Sequence, residues 1–479
     1  MNNQNEQQLN LFPEIENEEF LLPAQENQKE IKGNRGEWGE FYTFLRLIKD
    51  GFMFEHGDSS HTLHYVTDVT LLNPKPTRFR VRNVLSPTQL SLNNLVEGPK
   101  PGKDVRFNDE QVYIYYADQD GDFHPMPAAT IPKTKFDQAC EALEKSLISH
   151  KKQTGTFKLP EGHPALILLK ELDITNIKAD SLSKADIRVT HVIKKGLLSI
   201  NKDRSYSIKS SLGSKATLFN AGQASNVTYQ IVPIDPHGQE FTAEMAETFN
   251  NIFLEKINKE GTHSPNIKKR MAFLADQGFK LEYSHISHPI FKENIEACFP
   301  NAEKLIQGML LAYYNPKPGA LESSSISSFI ANQVSYDPLE LKGTMTQEEL
   351  AGHYEKMTKK VLMNMAMGMT AAKKFNQEEL SQNITGGILL LEETANGYSL
   401  FARDIENSIE LENYLFQNTK LETASTSRHK FANAYYNPID DVYEVKLNLQ
   451  VRLINDVKKK PIHNETEKQQ KNVRVVKMR

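Results

Sequence analysis

Cysteine and long apolar runs are scarce in this chain of 479 residues, and each scarcity excludes a class of protein. The two cysteines, Cys140 and Cys298, are far apart and lack the spacing of zinc ligands, so no zinc site is expected and a reducing cytoplasm fits. No apolar run reaches about 18 residues, which predicts no membrane span. The N-terminus has neither a basic start nor an apolar stretch, so no signal peptide is expected.

A large excess of charge of either sign is also missing, because the formal net charge is only −4. This value does not indicate a nucleic-acid-binding protein, but a groove can be basic on a protein that is acidic in total. The contents of 39% hydrophobic and 25% charged residues are typical of globular proteins. The chain is too long for one ordinary core and contains no internal repeat, so two or three domains are expected.

The two ends of the chain have the composition of tails. Residues 1–32 are acidic and rich in Asn and Gln, which predicts a disordered acidic tail, although Leu11–Pro13 and Phe20–Leu22 have the form of short docking peptides. Residues 456–479 are basic and polar and predict a second tail.

An amphipathic helix is predicted directly after the acidic tail. Asn34 is a suitable N-cap, and Gly51 stands where a glycine commonly ends a helix. Glu40 lies near the edge of the apolar face, while Glu37 lies in the first turn. The apolar face is formed by Trp38, Phe41, Tyr42, Phe44, Leu45, Leu47 and Ile48.

Other segments show the periodicity of strands and helices. Strands are predicted over 64–71, 78–82, 111–116 and 443–452, and a hairpin over 384–392 and 398–403. Helices are predicted over 134–150, 240–258, 264–278, 300–313 and 408–416, and the longest over 346–375. Residues 423–430 are predicted to be a polar loop, and Lys268 to Arg270 a local basic cluster.

Two alternating segments in the middle of the chain carry the residues with the clearest chemistry. Asp186 begins one strand pattern, and Lys209 follows Tyr206 and Ile208 in a second, about twenty residues later. If these strands are neighbours, Asp186 and Lys209 lie side by side at one edge of a sheet. On spacing alone, an exposed cross-strand ion pair is the simpler interpretation.

The same residues are also suited to phosphodiester hydrolysis. That reaction needs a metal ion to activate water and to offset the charge on the phosphate. Mg²⁺ prefers a few carboxylate or carbonyl oxygens together with waters. Asp186, Glu40 and the backbone carbonyl of Ile208 are candidate ligands, and Lys209 is a candidate to hold the attacking water or the phosphate.

Five segments together resemble one known family. They are KGNRGEWGEFYTFLRLIKDG, KADIRV, SYSIKSSLGSKATLFNAGQASN, LETASTSRHKF and KLNLQVRL. Their residues and order resemble the HpaII-like family of type II restriction endonucleases, from about residue 32 to about residue 454. The SIKSSLGSKATLFNA and ETASTSRHKF blocks are the most specific parts of this resemblance.

The resemblance implies a nuclease fold of the PD-(D/E)xK type. The expected fold class is α/β (α+β), with a mixed central sheet flanked by helices, an additional β-rich N-terminal region and a helical and hairpin C-terminal region. Asp186 and Lys209 take the positions of the catalytic acid and lysine. Ser207 stands where an Asp or Glu is usual, so the site needs another carboxylate. Glu40 is similar in position to the helix glutamate of Holliday-junction resolvases and is preferred to Glu37, with Ser207 as a hydrogen-bonding partner.

DNA contacts are expected from three segments of the resemblance. Bases are read by Arg on guanine and by Asn or Gln on adenine. Arg428 is the candidate for base readout, although a solvated surface loop is the alternative for its segment. Asn and Gln residues after the catalytic strand either contact bases or cap their own turn. The candidate DNA-binding residues are Ser210, Ser211, Gly213, Asn220, Gln223, Asn226, Ser427, Arg428 and His429.

The resulting hypothesis is a Mg²⁺-dependent type II restriction endonuclease that cuts double-stranded DNA at a short GC-rich palindrome containing CCGG. A homodimer on DNA is expected, with a methyltransferase as the genetic partner. The expected division is an acidic tail at 1–32, first helix and β-rich region at 33–150, catalytic core at 151–315, recognition region at 316–455 and basic tail at 456–479. A repair nuclease, which would not give discrete fragments, and a non-catalytic DNA-binding protein, which would protect one site without cutting, are the alternatives.

Overall fold

The computed structural model describes the chain from residue 30 to residue 454, with gaps. The described ranges are 30–56, 61–72, 77–80, 111–117, 122–123, 128–150, 155–175, 177, 185–195, 198–210, 216–254, 264–315, 324–376, 384–394 and 397–454. The basic tail, and the acidic tail before residue 30, lie outside these ranges. Among the described residues, no helix has both the length and the apolar character needed to cross a membrane.

Helices and strands alternate irregularly along the chain. The helices are α1 Arg35–Asp50, α2 Lys133–Ser149, α3 Pro164–Glu171, α4 Ala243–Asn250, α5 Ile267–Asp276, α6 Pro289–Cys298, α7 Ala302–Tyr314, α8 Phe329–Tyr336, α9 Gln347–Ala366, α10 Ser408–Gln417 and α11 Thr426–His429. Short 3-10 helices cover Gln223–Ser225 and Ile405–Asn407. The strands are β1 Gly33–Asn34, β2 Phe52–His56, β3 His61–Leu71, β4 Thr77–Arg80, β5 Gln111–Tyr116, β6 Ala129–Pro132, β7 Thr156–Phe157, β8 Ile187–Lys195, β9 Leu198–Ser210, β10 Thr217–Phe219, β11 Asn226–Pro233, β12 Phe279–Ile286, β13 Gly387–Thr394, β14 Gly397–Asp404, β15 Thr419–Leu421, β16 Ala434–Asn437, β17 Val442–Asn448 and β18 Val451–Leu453.

The first helix, α1, begins and ends as its sequence predicts. Asn34 and Glu37 form a capping box, in which the Asn34 side chain accepts from the backbone N–H groups of Gly36 and Glu37. Gly51 ends the helix in the left-handed conformation, with φ of 65°. The apolar face is buried, and Trp38 is fully enclosed. Packing of this face therefore fixes which side of α1 is directed at the sheet.

The largest sheet in the described part of the chain has nine strands in the order β2-β14-β13-β9-β8-β3-β4-β5-β6. It is mixed, because β8 and β9 pair antiparallel while β13 runs parallel to β9. An additional pairing of β2 with β3 joins β2, β14, β13, β9, β8 and β3 into a closed ring of pairings. The expected mixed sheet with flanking helices is confirmed.

The sheet is covered on both faces by hydrophobic residues. Leu389 and Leu391 of β13 belong to a core that contains α1, whereas Ile388 and Leu390 belong to a second and larger core. Successive residues of a strand point to opposite faces, so β13 is buried on both sides. The second core also contains a four-stranded sheet, β12-β11-β17-β16, and a three-stranded sheet, β10-β18-β15.

Several sequence predictions differ from the structure in detail, and one of them is the helix predicted over 240–258, which spans only Ala243–Asn250. The longest helix ends at Ala366 rather than near residue 375. The last predicted strand is interrupted between Asn448 and Val451, because β17 and β18 pair in different sheets. The polar loop at 423–430 contains a single helical turn, α11.

The position of the hairpin β13–β14 bears on the predicted division of the chain. This hairpin belongs by sequence to the region at 316–455, but its strands lie in the same sheet as β8 and β9 of the predicted catalytic core. The strands of the predicted β-rich region, β3 to β5, are part of that sheet as well. The domain boundaries therefore stay a prediction, and the central sheet crosses two of them, because it takes strands from three of the predicted regions.

Candidate active site

The pairing of β8 with β9 brings the predicted acid and lysine to one end of the sheet. Ile187 pairs with Tyr206, and the backbone N–H of Asp186 donates to the carbonyl of Tyr206 at 3.0 Å. Asp186 therefore stands at the start of β8, beside the last residues of β9. The expectation that the two strands are neighbours is confirmed by this register.

The carboxylate of Asp186 is held by the chain through one of its oxygens. The Oδ2 atom accepts a hydrogen bond from the backbone N–H of Ile208 at 2.6 Å and one from the hydroxyl of Ser207 at 3.3 Å. Desolvation by burial raises the pKa of Asp186, and the charge of Lys209 with the two hydrogen bonds opposes that shift. The site thus favours a proton or a cation beside this carboxylate.

Glu40 reaches the same site from α1. Desolvation by burial raises the pKa of Glu40, the charge of Asp186 raises it further, and the charge of Lys209 lowers it. The helix α1 packs against β9, so these charges act on Glu40 across the interface between the helix and the strand. The structure therefore brings together Glu40, Asp186 and Lys209, from one helix and two strands. In this setting, the simple exposed ion pair between Asp186 and Lys209 is the less suitable interpretation.

Glu37 has a different place in the same helix. Its carboxylate accepts a hydrogen bond from the backbone N–H of Asn34 at 2.7 Å, as the second half of the capping box. Its charge only adds to the raised pKa of Glu40. This arrangement favours Glu40 over Glu37 as the helix residue of the site.

The oxygen donors of the site suit a hard divalent cation. In the described ranges, no group of three or more His, Cys, Asp or Glu side chains is placed to hold a metal ion. Two partly buried carboxylates of raised pKa are nevertheless destabilised as a pair of anions, and a cation between them removes that cost. The backbone carbonyl of Ile208 stays the predicted third protein oxygen, and waters complete the coordination that Mg²⁺ prefers.

The residues after Lys209 are only partly described. Ser210 is half-buried at the end of β9. Ser211 and Gly213 lie outside the described residues, so their predicted phosphate contacts stay predictions. Asn220 and Gln223 are exposed, Gln223 in a 3-10 helix.

Asn226 is buried and fully engaged, unlike its two neighbours in the prediction. Its side-chain N–H group donates to the carbonyl of His429 at 2.9 Å and to that of Lys430 at 3.4 Å. Its side-chain oxygen accepts from Asn448 at 2.7 Å. Only 3% of Asn226 is exposed, which argues against direct base contact. Its amide holds the turn at His429 and Lys430 and not its own turn, as the alternative supposed.

The candidate base-reading residues lie on α11 and its flanks. Ser427 and Arg428 are exposed, while His429 is half-buried. Burial and the nearby charge of Arg428 lower the pKa of His429, so this imidazole is neutral at neutral pH. A cation and a hydroxyl on an exposed turn suit contacts with phosphates and guanine.

Sequence reasoning missed the separate position of Arg270, which was grouped with Lys268 and Lys269 as a local basic cluster. Arg270 is fully buried. The apolar stripe of α5 contains Ile267, Met271 and Leu274, and Arg270 stands in that stripe three residues after Ile267. This position was the signal that Arg270 is directed inwards.

Comparison with known proteins shows the family to which the chain belongs. The family model described as HpaII restriction endonuclease matches residues 102–453. The chain therefore belongs to the HpaII restriction endonuclease family and is a site-specific endonuclease with DNA as its substrate. It is similar to the type II restriction enzyme HpaII of Haemophilus parainfluenzae, with 25% identity over 426 residues that cover 88% of this chain and 99% of that enzyme. No solved structure matches the chain.

Proposed function

We propose that this protein cuts double-stranded DNA with Mg²⁺ at a short GC-rich palindrome containing CCGG. The catalytic part is supported by the hydrogen bonds that hold Asp186 against β9, and by the packing of α1, which carries Glu40, on that strand. The target sequence is suggested by the resemblance to HpaII. Type II restriction endonucleases generally use a divalent metal, and Mg²⁺ is proposed because the donors are oxygens.

The proposed metal ligands are Asp186, Glu40 and the backbone carbonyl of Ile208. In the described part of the chain, both hydrogen bonds to Asp186 end on Oδ2, which leaves Oδ1 for a cation. The N–H and C=O of one strand residue point to the same side, and the N–H of Ile208 points to Asp186. Its carbonyl is thus directed past the start of β8. When bound, Mg²⁺ would offset the negative charge that develops on the phosphate.

Lys209 and Ser207 have supporting roles in this proposal. Lys209 holds the attacking water or a phosphate oxygen by its point charge, and Ser210 contacts the adjacent phosphate. Ser207 is buried and donates to Asp186, so it orients the carboxylate in place of acting as a ligand.

Specificity is proposed to come from Arg428, with contacts from Ser427, His429, Asn220 and Gln223. Arg428 is exposed on α11, and a guanidinium makes two hydrogen bonds to a guanine edge. A target containing CCGG offers guanines on both strands, which fits a protein with an arginine as its principal base contact. Asn226 would act through the turn, as argued below.

Cleavage of both strands of a palindrome needs two active sites related by symmetry. A homodimer on DNA is therefore proposed. We also propose that the enzyme works in the bacterial cytoplasm beside a cognate DNA methyltransferase, since DNA of the host must be protected from a site-specific endonuclease.

Digestion of plasmid DNA tests the proposed function directly. The full-length protein is incubated with plasmid in Mg²⁺, and the ends of the fragments are sequenced, with Asp186→Asn as the inactive control. Discrete fragments whose ends map to one common sequence containing CCGG in the intact plasmid are expected. A smear, junction-specific cutting, or fragments without that sequence would contradict the proposal. Cleavage in the presence of EDTA would show that the reaction needs no divalent metal ion.

A further inference from the structure

The segment that follows α11 has an unusual backbone. Lys430 and Ala432 both have positive φ, at 52° and 69°. A side chain in this conformation costs roughly 1 kcal/mol or more, so glycine is the common residue there. The turn from Ser425 to Ala432 thus needs support from the surrounding protein to keep its shape.

The first support is the guanidinium of Arg270 in α5. It donates to the carbonyl of Ala432, to the side-chain oxygen of Asn433 at 2.7 Å, and to the carbonyls of Asn250 and Ile252, the last at 3.2 Å. One side chain therefore joins the end of α4 to the last residue of the turn and to the residue that follows it. The backbone N–H of Ala432 also donates to a carbonyl in β17 at 2.8 Å.

Stability alone does not account for a buried arginine at this place. All four acceptors are uncharged, and burial lowers the pKa of Arg270 to about 10, so the side chain is still charged at neutral pH. Burying a cation without an anion is costly, and an apolar side chain of similar volume is often more stable. The planar fork of arginine, however, fixes several carbonyls in one geometry.

The second support is Asn226 at the start of β11. Its amide holds the carbonyls of His429 and Lys430, the residues at the end of α11. Asn448 in β17 holds Asn226 in turn and also donates to the carbonyl of Gly222 at 2.7 Å. The turn is therefore fixed from two independent directions.

We propose that Arg270 and Asn226 are positioning residues that hold the turn Ser425–Ala432 in the shape that presents Arg428 to the DNA. The inference rests on the proposed base readout by Arg428. A bidentate contact to a base requires a guanidinium in a defined orientation, and a turn shaped before binding loses less entropy when the complex forms. Both positioning residues are buried, so they act through the turn and not by touching DNA.

Coupling between Arg270 and Arg428 in DNA discrimination tests the proposal. Binding is measured without divalent metal to a duplex carrying the site found by plasmid digestion, and to the same duplex with one base pair changed. Arg428→Ala is expected to lower the ratio of the two affinities by about tenfold or more. Arg270→Met is expected to lower this affinity ratio by a similar factor. The double variant is expected to lower it no further, because both substitutions remove the same contact between Arg428 and the base.

Two further variants separate positioning from general stability. Asn294 is also buried and also holds a loop, by donating to the carbonyls of Thr370 and Lys373 at 2.8 Å. Asn294→Ala is expected to lower the unfolding temperature as Asn226→Ala does, but to leave the discrimination ratio unchanged. Arg270→Lys keeps the charge without the fork and is expected to lose discrimination as Arg270→Met does.

The outcomes distinguish this inference from the proposed function. If Arg428→Ala lowers discrimination but the Arg270 and Arg428 effects add, the positioning role is wrong and base readout stands. If Arg428→Ala leaves the discrimination ratio unchanged, base readout by Arg428 and the positioning role are both wrong, because Arg428 then makes no base contact. If Asn294→Ala lowers discrimination as much as Asn226→Ala, the effect reflects stability and the positioning role is wrong.

Discussion

The backbone N–H of Ile208 donates to the carboxylate of Asp186 at 2.6 Å, across the gap between two paired strands. Ile208 directly precedes Lys209, so this bond holds the acid beside the strand that carries the lysine. Ser207 adds a longer bond to the same oxygen. The carboxylate is thus oriented by β9 itself.

Asp186→Asn keeps the size of the side chain and removes its charge. We expect cleavage of plasmid DNA to fall by more than about a thousandfold, because a neutral amide binds a divalent cation poorly and cannot offset its charge. Lys209→Ala is expected to lose cleavage to a similar extent. DNA binding by both variants should be close to that of the wild type, as measured by fluorescence anisotropy. Normal cutting by either variant would remove that residue from the catalytic site.

Glu40 and Glu37 make a matched pair on one helix. Glu40→Gln is expected to lower the rate of cleavage by at least about a hundredfold, since it removes a proposed metal ligand. Glu37→Gln should cut nearly as fast as the wild type, because glutamine also serves in a capping box. Single-turnover cleavage rates at saturating Mg²⁺ provide the measurement. The reverse order of the two effects would assign the helix ligand to Glu37.

Metal-free protein is expected to lose stability as the pH rises. The folded state raises the pKa of Glu40 and of Asp186, so the folded protein binds these protons more tightly than the unfolded chain does. Ionisation of these two carboxylates lowers the free energy of unfolding. This loss is absent below the unfolded pKa of about 4, and it is complete above the raised folded pKa. Glu40→Gln should therefore unfold at a higher temperature than the wild type at about pH 8, and this difference should shrink toward about pH 5.

Mg²⁺ should make the wild type unfold at a higher temperature than Glu40→Gln at about pH 8, because a ligand that binds only the folded protein stabilises it. Thermal unfolding followed by circular dichroism, with EDTA or with Mg²⁺, measures both effects. An equal response of wild type and Glu40→Gln to Mg²⁺ would contradict the role of Glu40 as a ligand.

Two glycine substitutions are expected to have opposite effects on stability. A Cβ atom at Gly386 would lie 2.5 Å from the ring of the buried Tyr206 in β9, so Gly386→Ala is expected to cost about 1–3 kcal/mol of unfolding free energy. A Cβ at Gly352, exposed in α9, meets nothing within 4 Å. Gly352→Ala should therefore gain up to about 1 kcal/mol.

Denaturant unfolding measures both values, and cleavage assays add a second comparison. Because Tyr206 immediately precedes Ser207, Gly386→Ala should also slow cleavage, whereas Gly352→Ala should not. A stabilised Gly386→Ala protein would contradict the close packing of the Gly386 segment against β9.

Local features of the fold could be predicted from the sequence because their causes are local. Asn34 and Gly51 bound α1 through hydrogen bonds within a few residues, and alternation in the segments after Asp186 and before Lys209 reports a half-buried sheet. The structure confirms the mixed fold that was predicted. The choice of Glu40 stays a prediction, made because the resemblance leaves no acid at Ser207 and so requires a carboxylate from another element.

Long-range contacts could not be predicted from the sequence, because no local pattern of residues indicates them. The parallel pairing of β13 with β9 depends on register between distant segments, and nothing in the Ile384–Glu392 pattern names its partner strand. Asn226 has the composition of a turn residue, and only its contacts with His429 and Lys430 reveal that it holds another turn. The polar character of residues 423–430 likewise hid the single helical turn α11, which is too short to produce a periodic signal.

The strand that flanks β9 on the side away from β8 comes from far later in the chain. Until a ribosome has translated past Thr394, the strand bearing Lys209 lacks its parallel neighbour and one side of its hydrogen bonding. Nascent chains that already contain Asp186 and Lys209 therefore cannot complete the sheet around them. Chains that terminate before Thr394 are accordingly expected not to cut DNA.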